Sequence, residues 1–169
     1  ETPGQGQWPE LTHHLVTLDH GVIYYNTNAG AIAAVRAADG SIRWITTYPR
    51  MTFRAGDPAV AGSHFFRDLN PCLVHRGVIV AAPSDCQQIF ALEAATGEIL
   101  WSESSGKTQD VVHLLGVSGD DLVVSGDYLY WLDVYNGRIR KQFPAAVDRD
   151  VTAARPAPRG FGRGLIAAD

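Results

Sequence analysis

Three stretches of this chain repeat one sequence grammar in the same order. A chain built from copies of a short unit can bury its apolar residues only by stacking those copies. The first copy reads Gly21-Val-Ile-Tyr-Tyr-Asn-Thr27, then Ala31-Ile-Ala-Ala-Val-Arg-Ala-Ala-Asp-Gly-Ser-Ile-Arg-Trp44. The second reads Gly77-Val-Ile-Val-Ala-Ala-Pro83, then Gln88-Ile-Phe-Ala-Leu-Glu-Ala-Ala-Thr-Gly-Glu-Ile-Leu-Trp101. The third runs Asp121-Leu-Val-Val-Ser-Gly-Asp127, then Tyr128-Leu-Tyr-Trp-Leu-Asp-Val-Tyr-Asn-Gly-Arg-Ile-Arg-Lys141, and a fourth opens at Gly164-Leu-Ile-Ala-Ala-Asp169. The turn glycines Gly40, Gly97 and Gly137 stand 57 and 40 residues apart, so an insertion separates the first two copies.

Each copy alternates short β-branched runs with turn residues, the pattern of antiparallel strands. Asp39-Gly40, Thr96-Gly97 and Asn136-Gly137 read as two-residue hairpin turns, in which Gly supplies positive φ and Asn or Asp tolerates it. Beyond the turn, strict alternation puts Ile99 and Trp101 on one face and Glu98 and Leu100 on the other. A further strand precedes each copy, at 15–18, 72–74 and 111–115. No stretch holds a helical apolar period over three turns. The expected fold is therefore all-β, with four-stranded antiparallel units at about 11–47, 71–103 and 110–143. The start of a fourth lies at 153–169, and the insertion occupies 48–70. Residues 1–10, with Pro3, Gly4, Gly6 and Pro9, read as too irregular to supply two strands.

Composition excludes several function classes. The 14 basic and 18 acidic residues leave a net charge of −4, without the basic excess a nucleic-acid footprint needs. No apolar run approaches the roughly 18 residues of a membrane span. The chain starts at Glu1, so the absence of a leader says nothing about export. Cys72 and Cys86 are too few for a disulfide framework and match no zinc spacing; one disulfide or two buried thiols both remain open.

The run Ala91-Leu-Glu-Ala-Ala-Thr-Gly-Glu-Ile-Leu-Trp101 resembles the repeat of the quinoprotein family, known from pyrroloquinoline-quinone dehydrogenases. That repeat is roughly Ala-Leu-Asp-x-x-Thr-Gly-x-x-x-Trp. Ala91, Leu92, Thr96, Gly97 and Trp101 match, with Glu93 in place of Asp. The first copy matches at Ala34, Val35, Asp39, Gly40 and Trp44. The third keeps Leu132, Asp133 and Gly137 but has Lys141 in place of Trp. The resemblance covers most of residues 15–143. It implies a β-propeller of four-stranded blades, here about three and a half of them, with Gly40, Trp44, Thr96, Gly97, Trp101 and Gly137 as its structural motif. On this reading the Trp lies on the outermost strand and covers the turn of a neighbouring blade.

The same repeat builds quinone-dependent dehydrogenases, outer-membrane assembly scaffolds and other exported bacterial proteins. The leading implication is a non-catalytic binding or scaffold propeller in the periplasm or outside the cell, with no catalytic, cofactor or metal residues of its own. The alternative is a fragment of a quinone dehydrogenase whose active site lies outside this segment. Such an enzyme needs Ca²⁺ held by Glu, Asn and Asp oxygens, and a disulfide between adjacent cysteines. Cys72 and Cys86 are not adjacent. Turn carboxylates such as Asp39, Asp85 and Asp127 read as caps of backbone N–H groups. His13, His14, His20, His64, His75 and His113 share no ligand spacing. Gly160-Phe-Gly-Arg-Gly164 precedes a strand, so it offers no helix N-terminus to an anion.

The insertion carries anchor residue types for a protein interface: Arg50, Phe53, Arg54, His64, Phe65, Phe66 and Arg67. Three and a half blades fall short of the four to eight of a closed ring. The expected partner is therefore another protein, the remainder of a larger propeller, or a second copy joined through open blade edges.

Overall fold

The computed structural model describes residues 15–51, 67–103, 108–145 and Gly164. Twelve strands form three four-stranded antiparallel sheets, and no helix occurs among the described residues. The first sheet, blade 1, orders β1 (Val16–Asp19), β2 (Val22–Asn26), β3 (Ala31–Arg36) and β4 (Ile42–Thr47). Blade 2 holds β5 (Leu73–His75), β6 (Val78–Ala81), β7 (Ile89–Glu93) and β8 (Ile99–Glu103). Blade 3 holds β9 (His113–Ser118), β10 (Asp121–Ser125), β11 (Leu129–Asp133) and β12 (Ile139–Phe143). The fourth copy expected at 153–169 lies outside the described residues except Gly164.

Side-chain alternation dictates how the sheets stack. Along β6, Ile79 and Ala81 enter one core with Tyr24, Ile32, Ala34 and Trp44 of blade 1. Val78 and Val80 enter a second core with Leu122, Val124, Tyr130 and Leu132 of blade 3. Blade 2 is therefore buried on both faces, which is why Val78–Ala81 is apolar without interruption. Blade 1 shows the half-buried pattern instead: Val22, Tyr24 and Asn26 are buried, and Ile23 and Tyr25 between them are not. The first strands β1, β5 and β9 approach one another across the blades, so they form the inner edge, and β4, β8 and β12 lie outermost.

Two local expectations change. The two-residue hairpins fall between the first and second strands of each blade, at His20-Gly21, Arg76-Gly77 and Gly119-Asp120. Both residues of the first two pairs have positive φ, as a type I′ turn requires. Between the third and fourth strands the loop is five residues long. The Gly40 N–H donates to the Arg36 carbonyl and Gly97 to Glu93, at 2.9 and 2.8 Å, and Gly137 repeats the bond to Asp133. Only the glycine there is left-handed. The preceding residue acts through its side chain: Asp39, Thr96 and Asn136 oxygens accept the N–H two positions on. Strict alternation on the outer strand also fails, because each blade slips register at the same place. Ala34 faces Trp44 but Val35 faces Ile42, and Ala91 faces Trp101 but Leu92 faces Ile99. Blade 3 repeats the slip at Lys141 and Ile139. Arg43, Leu100 and Arg140 are the extra residues of these bulges, and Ile99 and Leu100 are both exposed.

The bulge aims the tryptophan at the next blade. A Cβ placed on Gly97 would lie 2.6 Å from the Trp44 ring, and one on Gly137 2.6 Å from the Trp101 ring. Each indole therefore rests on a bare glycine Cα. Its Nε1–H donates to a carbonyl three residues before that glycine, Trp44 to Ala94 and Trp101 to Val134, both at 2.9 Å. The Thr46 hydroxyl adds a bond to the Gly97 carbonyl. In blade 3, Lys141 takes the tryptophan's place and its ammonium lies 4.8 Å from the Trp131 ring centre.

Trp44 is 8% exposed and Trp101 is half-buried. Trp44→Ala should cost roughly 3–5 kcal/mol in denaturant melts, and Trp101→Ala less. Trp44→Phe keeps the stacking and loses only the bond to Ala94, at about 1 kcal/mol. A loss under about 1 kcal/mol for Trp44→Ala would contradict the docking role.

Candidate binding face

The loops joining second to third strands, and the links from one blade to the next, gather at one edge of the stack. Asp85, in the loop between β6 and β7, organises that edge. Its carboxylate accepts the Tyr48 hydroxyl at 2.7 Å and the Arg50 guanidinium at 2.9 Å. Its carbonyl accepts the Met51 N–H at 2.8 Å. It thus ties the exit of blade 1 to blade 2, a different duty from the backbone cap expected of it. Asp110 plays a similar part in blade 3, accepting the Tyr130 hydroxyl at 2.8 Å and the Tyr128 N–H at 3.3 Å. Burial, and then the carboxylate each phenol serves, push both Tyr48 and Tyr130 well above the ordinary tyrosine range. Both phenols stay protonated and act as fixed donors.

Arg67 is placed differently from the outward contact expected for it. It is 6% exposed, and its guanidinium donates to the carbonyls of Val111, Cys86, Gln88 and Gln87. Those carbonyls belong to the β6–β7 loop and to the entry of blade 3. One flat cation with five donors satisfies them together, which a lysine could not do. Burial lowers its pKa to about 10, so it remains charged at neutral pH. Asn70 continues the bridge: its amide donates to the Val112 carbonyl and accepts the Leu114 N–H, each at 2.9 Å. The end of the insertion is thus mortar between blades 2 and 3. Arg50 keeps an exposed side chain beside Asp85. Phe53, Arg54, His64, Phe65 and Phe66 lie outside the described residues.

Between these loops opens a cleft of about 220 Å³, lined among others by Arg50, Met51, Gln87, Gln88, Glu103 and Gln109. Amides and one ion pair suit a polypeptide's backbone and side-chain polar groups. The Cys86 thiol at its wall is raised by burial, and Cys72 is pushed up to about 12, also by burial. Neither thiol is a nucleophile at neutral pH. The two cysteines are free, which closes the question of a bond between them.

No three His, Cys, Asp or Glu side chains come together among the described residues. His20, His75 and His113 each stand beside a different carboxylate, Asp19, Asp120 and Asp68. No helix among the described residues is long and apolar enough to cross a membrane.

The geometry has known counterparts. The family model described as outer membrane protein assembly factor BamB matches residues 2–153. The curated outer membrane protein assembly factor BamB of Vibrio cholerae is 26% identical over 113 residues, 64% of this chain and 26% of that protein. This chain thus spans about a quarter of that relative's length. Among solved structures, BamB from Moraxella catarrhalis superposes with a TM-score of 0.55 at 18% identity, over 75% of this chain and 35% of that one. Quinohemoprotein alcohol dehydrogenase from Comamonas testosteroni gives 0.55 at 16% identity, over 76% and 20%. A computationally designed protein, Ika4, gives 0.56 at 11%, over 78% and 71%. These likenesses show the fold, a β-propeller of four-stranded blades.

Two outcomes are expected. Arg67→Ala orphans carbonyls worth about 1–3 kcal/mol each. Partial rehydration leaves a loss of about 3 kcal/mol in denaturant melts, with Arg67→Lys recovering only part of it. An unchanged midpoint would contradict the bridging role. A disulfide-exchange reagent at pH 8 should label neither thiol of the native protein and both in guanidinium; rapid native labelling of Cys72 would show that its core is open.

Proposed function

The chain belongs to the family of the outer membrane protein assembly factor BamB, and from that premise we propose that it is a non-catalytic scaffold that holds a protein partner. Its place of work, on this reading, is the bacterial periplasm or the outer cell surface. The observation that carries the proposal is how the polar side chains of the candidate face are engaged. Asp85, Asp110, Arg67 and Asn70 are all committed to bonds between or within blades, with carboxylates holding tyrosines and a cation holding carbonyls. Such groups stiffen a surface; they do not move protons or attack a substrate. What remains is shape, the exposed Arg50, the glutamine amides of the cleft, and the sequence of 52–66, which follows Met51 of the cleft and carries Phe53, Arg54, His64, Phe65 and Phe66. Aromatic and arginine side chains at a rigid rim are suited to anchoring a protein.

The name of the Vibrio cholerae relative concerns assembly of outer-membrane proteins. Carried to this chain, it points to a partner in that process, such as another assembly component or a folding outer-membrane protein. Since Tyr48 and residues 67–70 hold blades together, a test of the insertion must spare them. Replacing only 52–66 by a short Gly-Ser linker should leave the melting midpoint within about 0.5 kcal/mol of the parent. It should also abolish cross-linking to the envelope partner in cells of the source organism. Cross-linking that survives the replacement would remove 52–66 from the interface. Quinone-dependent dye reduction with added Ca²⁺ and alcohols would contradict the scaffold reading altogether.

A further inference from the structure

The turn beneath the Trp101 ring holds a reactive pair of residues. Asparagine is chemically labile, and of the four in this chain only Asn136 precedes a glycine. Gly137 has no Cβ to hinder its nitrogen, so that nitrogen can attack the Asn136 side-chain carbonyl. Asn136 is exposed to water, and Gly137 is buried. Blades 1 and 2 carry Asp39 and Thr96 at the same place in the turn. Thr96 has no side-chain carbonyl to attack. The Asp39 carboxyl is held below the ordinary carboxylate range by the Ser41 hydroxyl and N–H, so it stays ionised and resists attack. Of the three turns, only that of blade 3 has a side chain whose nitrogen can leave as ammonia.

The fold restrains both reacting groups. The Gly137 N–H, which must be free to react, donates to the Asp133 carbonyl at 2.8 Å. Asn136 Oδ1 accepts the Arg138 N–H at 3.0 Å, which ties down the side chain. Trp101 then fixes the loop from the neighbouring blade. Its ring lies 2.6 Å from where a Cβ on Gly137 would stand, and its Nε1–H donates to the Val134 carbonyl at 2.9 Å. This clamp buries less of its ring than the one in blade 1: Trp44 is 8% exposed, whereas Trp101 is half-buried. The Trp101 ring therefore lifts more readily.

We propose that Asn136-Gly137 is a modification site, gated by the docked Trp101 ring, whose conversion to isoaspartate opens the seam between blades 2 and 3. When the ring lifts, the loop relaxes and the Gly137 nitrogen bonds to Asn136 Cγ. That nitrogen's proton passes to solvent, the Cγ–Nδ2 bond breaks, and ammonia leaves with the electrons of that bond and a proton from water. Water then opens the cyclic imide at either of its carbonyls. Opening at Cγ gives aspartate, which fits, because Asp39 serves the same turn in blade 1 with its side-chain oxygen on the Ser41 N–H. Opening at the backbone carbonyl gives isoaspartate, whose chain runs through Cβ and is one atom longer. That extra atom displaces Gly137 from the Asp133 carbonyl and from the ring, so the indole cannot seat again.

Mass spectrometry tests this on the whole chain, held at pH 8 and digested at intervals. Asn136 of the native parent should convert at least about tenfold more slowly than in the same chain unfolded in guanidinium, because only the opened loop reacts. Trp101→Ala should raise the native rate at least about fivefold. Trp44→Ala, which removes the other indole, should leave it unchanged. If either alanine variant fails to fold, Trp101→Phe and Trp44→Phe supply the same comparison with a smaller rise. The isoaspartyl form, separated from aged parent protein, should unfold at lower denaturant than Asn136→Asp. Native conversion as fast as in guanidinium would overturn the proposal, as would a rate that Trp101 substitutions leave unchanged or that Trp44 substitutions raise equally. An isoaspartyl form as stable as Asn136→Asp would show that the seam stays closed, and would overturn it too.

Discussion

An indole laid on the bare Cα of a glycine in the next blade is the contact on which the stack depends. Any side chain at Gly97 or Gly137 would occupy the ring's own space, 2.6 Å away, so the site accepts only glycine for reasons of volume as well as φ. The ring brings apolar area to a loop that has none, and its N–H satisfies a carbonyl that the loop leaves without a partner in its own sheet. Because a four-stranded blade has no interior, the two cores lie between blades, and the indole closes the outer end of each.

That arrangement governs where binding can occur. The faces of blade 2 are consumed by packing, and the inner edge by β1, β5 and β9. Loops at the rim are left to meet other molecules, and there the charged groups are divided between two tasks. Asp85, Asp110, Arg67 and Asn70 lock loop to loop, while Arg50 and the glutamines of the cleft remain at the surface. A rim whose Asp85, Asp110, Arg67 and Asn70 side chains are already fixed suits a scaffold, because those groups lose little freedom when a partner binds.

The repeat made the fold legible. Gly and Trp recurring four apart located the outer strands, and the uninterrupted apolar run at Val78–Ala81 corresponds to a sheet covered on both sides. Turn chemistry was harder to read. A residue before glycine can serve by tolerating positive φ or by accepting an N–H with its side chain, and Asp39 and Asn136 are compatible with either. The true two-residue turns at His20-Gly21 and Arg76-Gly77 carry no Asn or Asp, so composition hid them. The bulges were invisible because slipping by one residue leaves a strand's composition unchanged. Arg67 looked like an interface anchor because its neighbours in sequence are aromatic. Its actual partners are backbone carbonyls 19 to 44 residues away, which no local pattern reports. The pairing of Arg50 with Asp85, 35 residues away, was hidden for the same reason.

The most direct test of the central contact is native-state hydrogen exchange resolved by blade, comparing the parent protein with Trp44→Phe and Trp44→Ala. If the indole couples neighbours, Trp44→Ala lowers protection in β6 and β7 of blade 2 together with β2 and β3 of blade 1, and Trp44→Phe lowers both by a smaller, matching amount. If protection falls only at β4 and the Gly97 turn, while the central strands of blade 2 keep theirs, the blades are stable without the docked ring and the account is wrong.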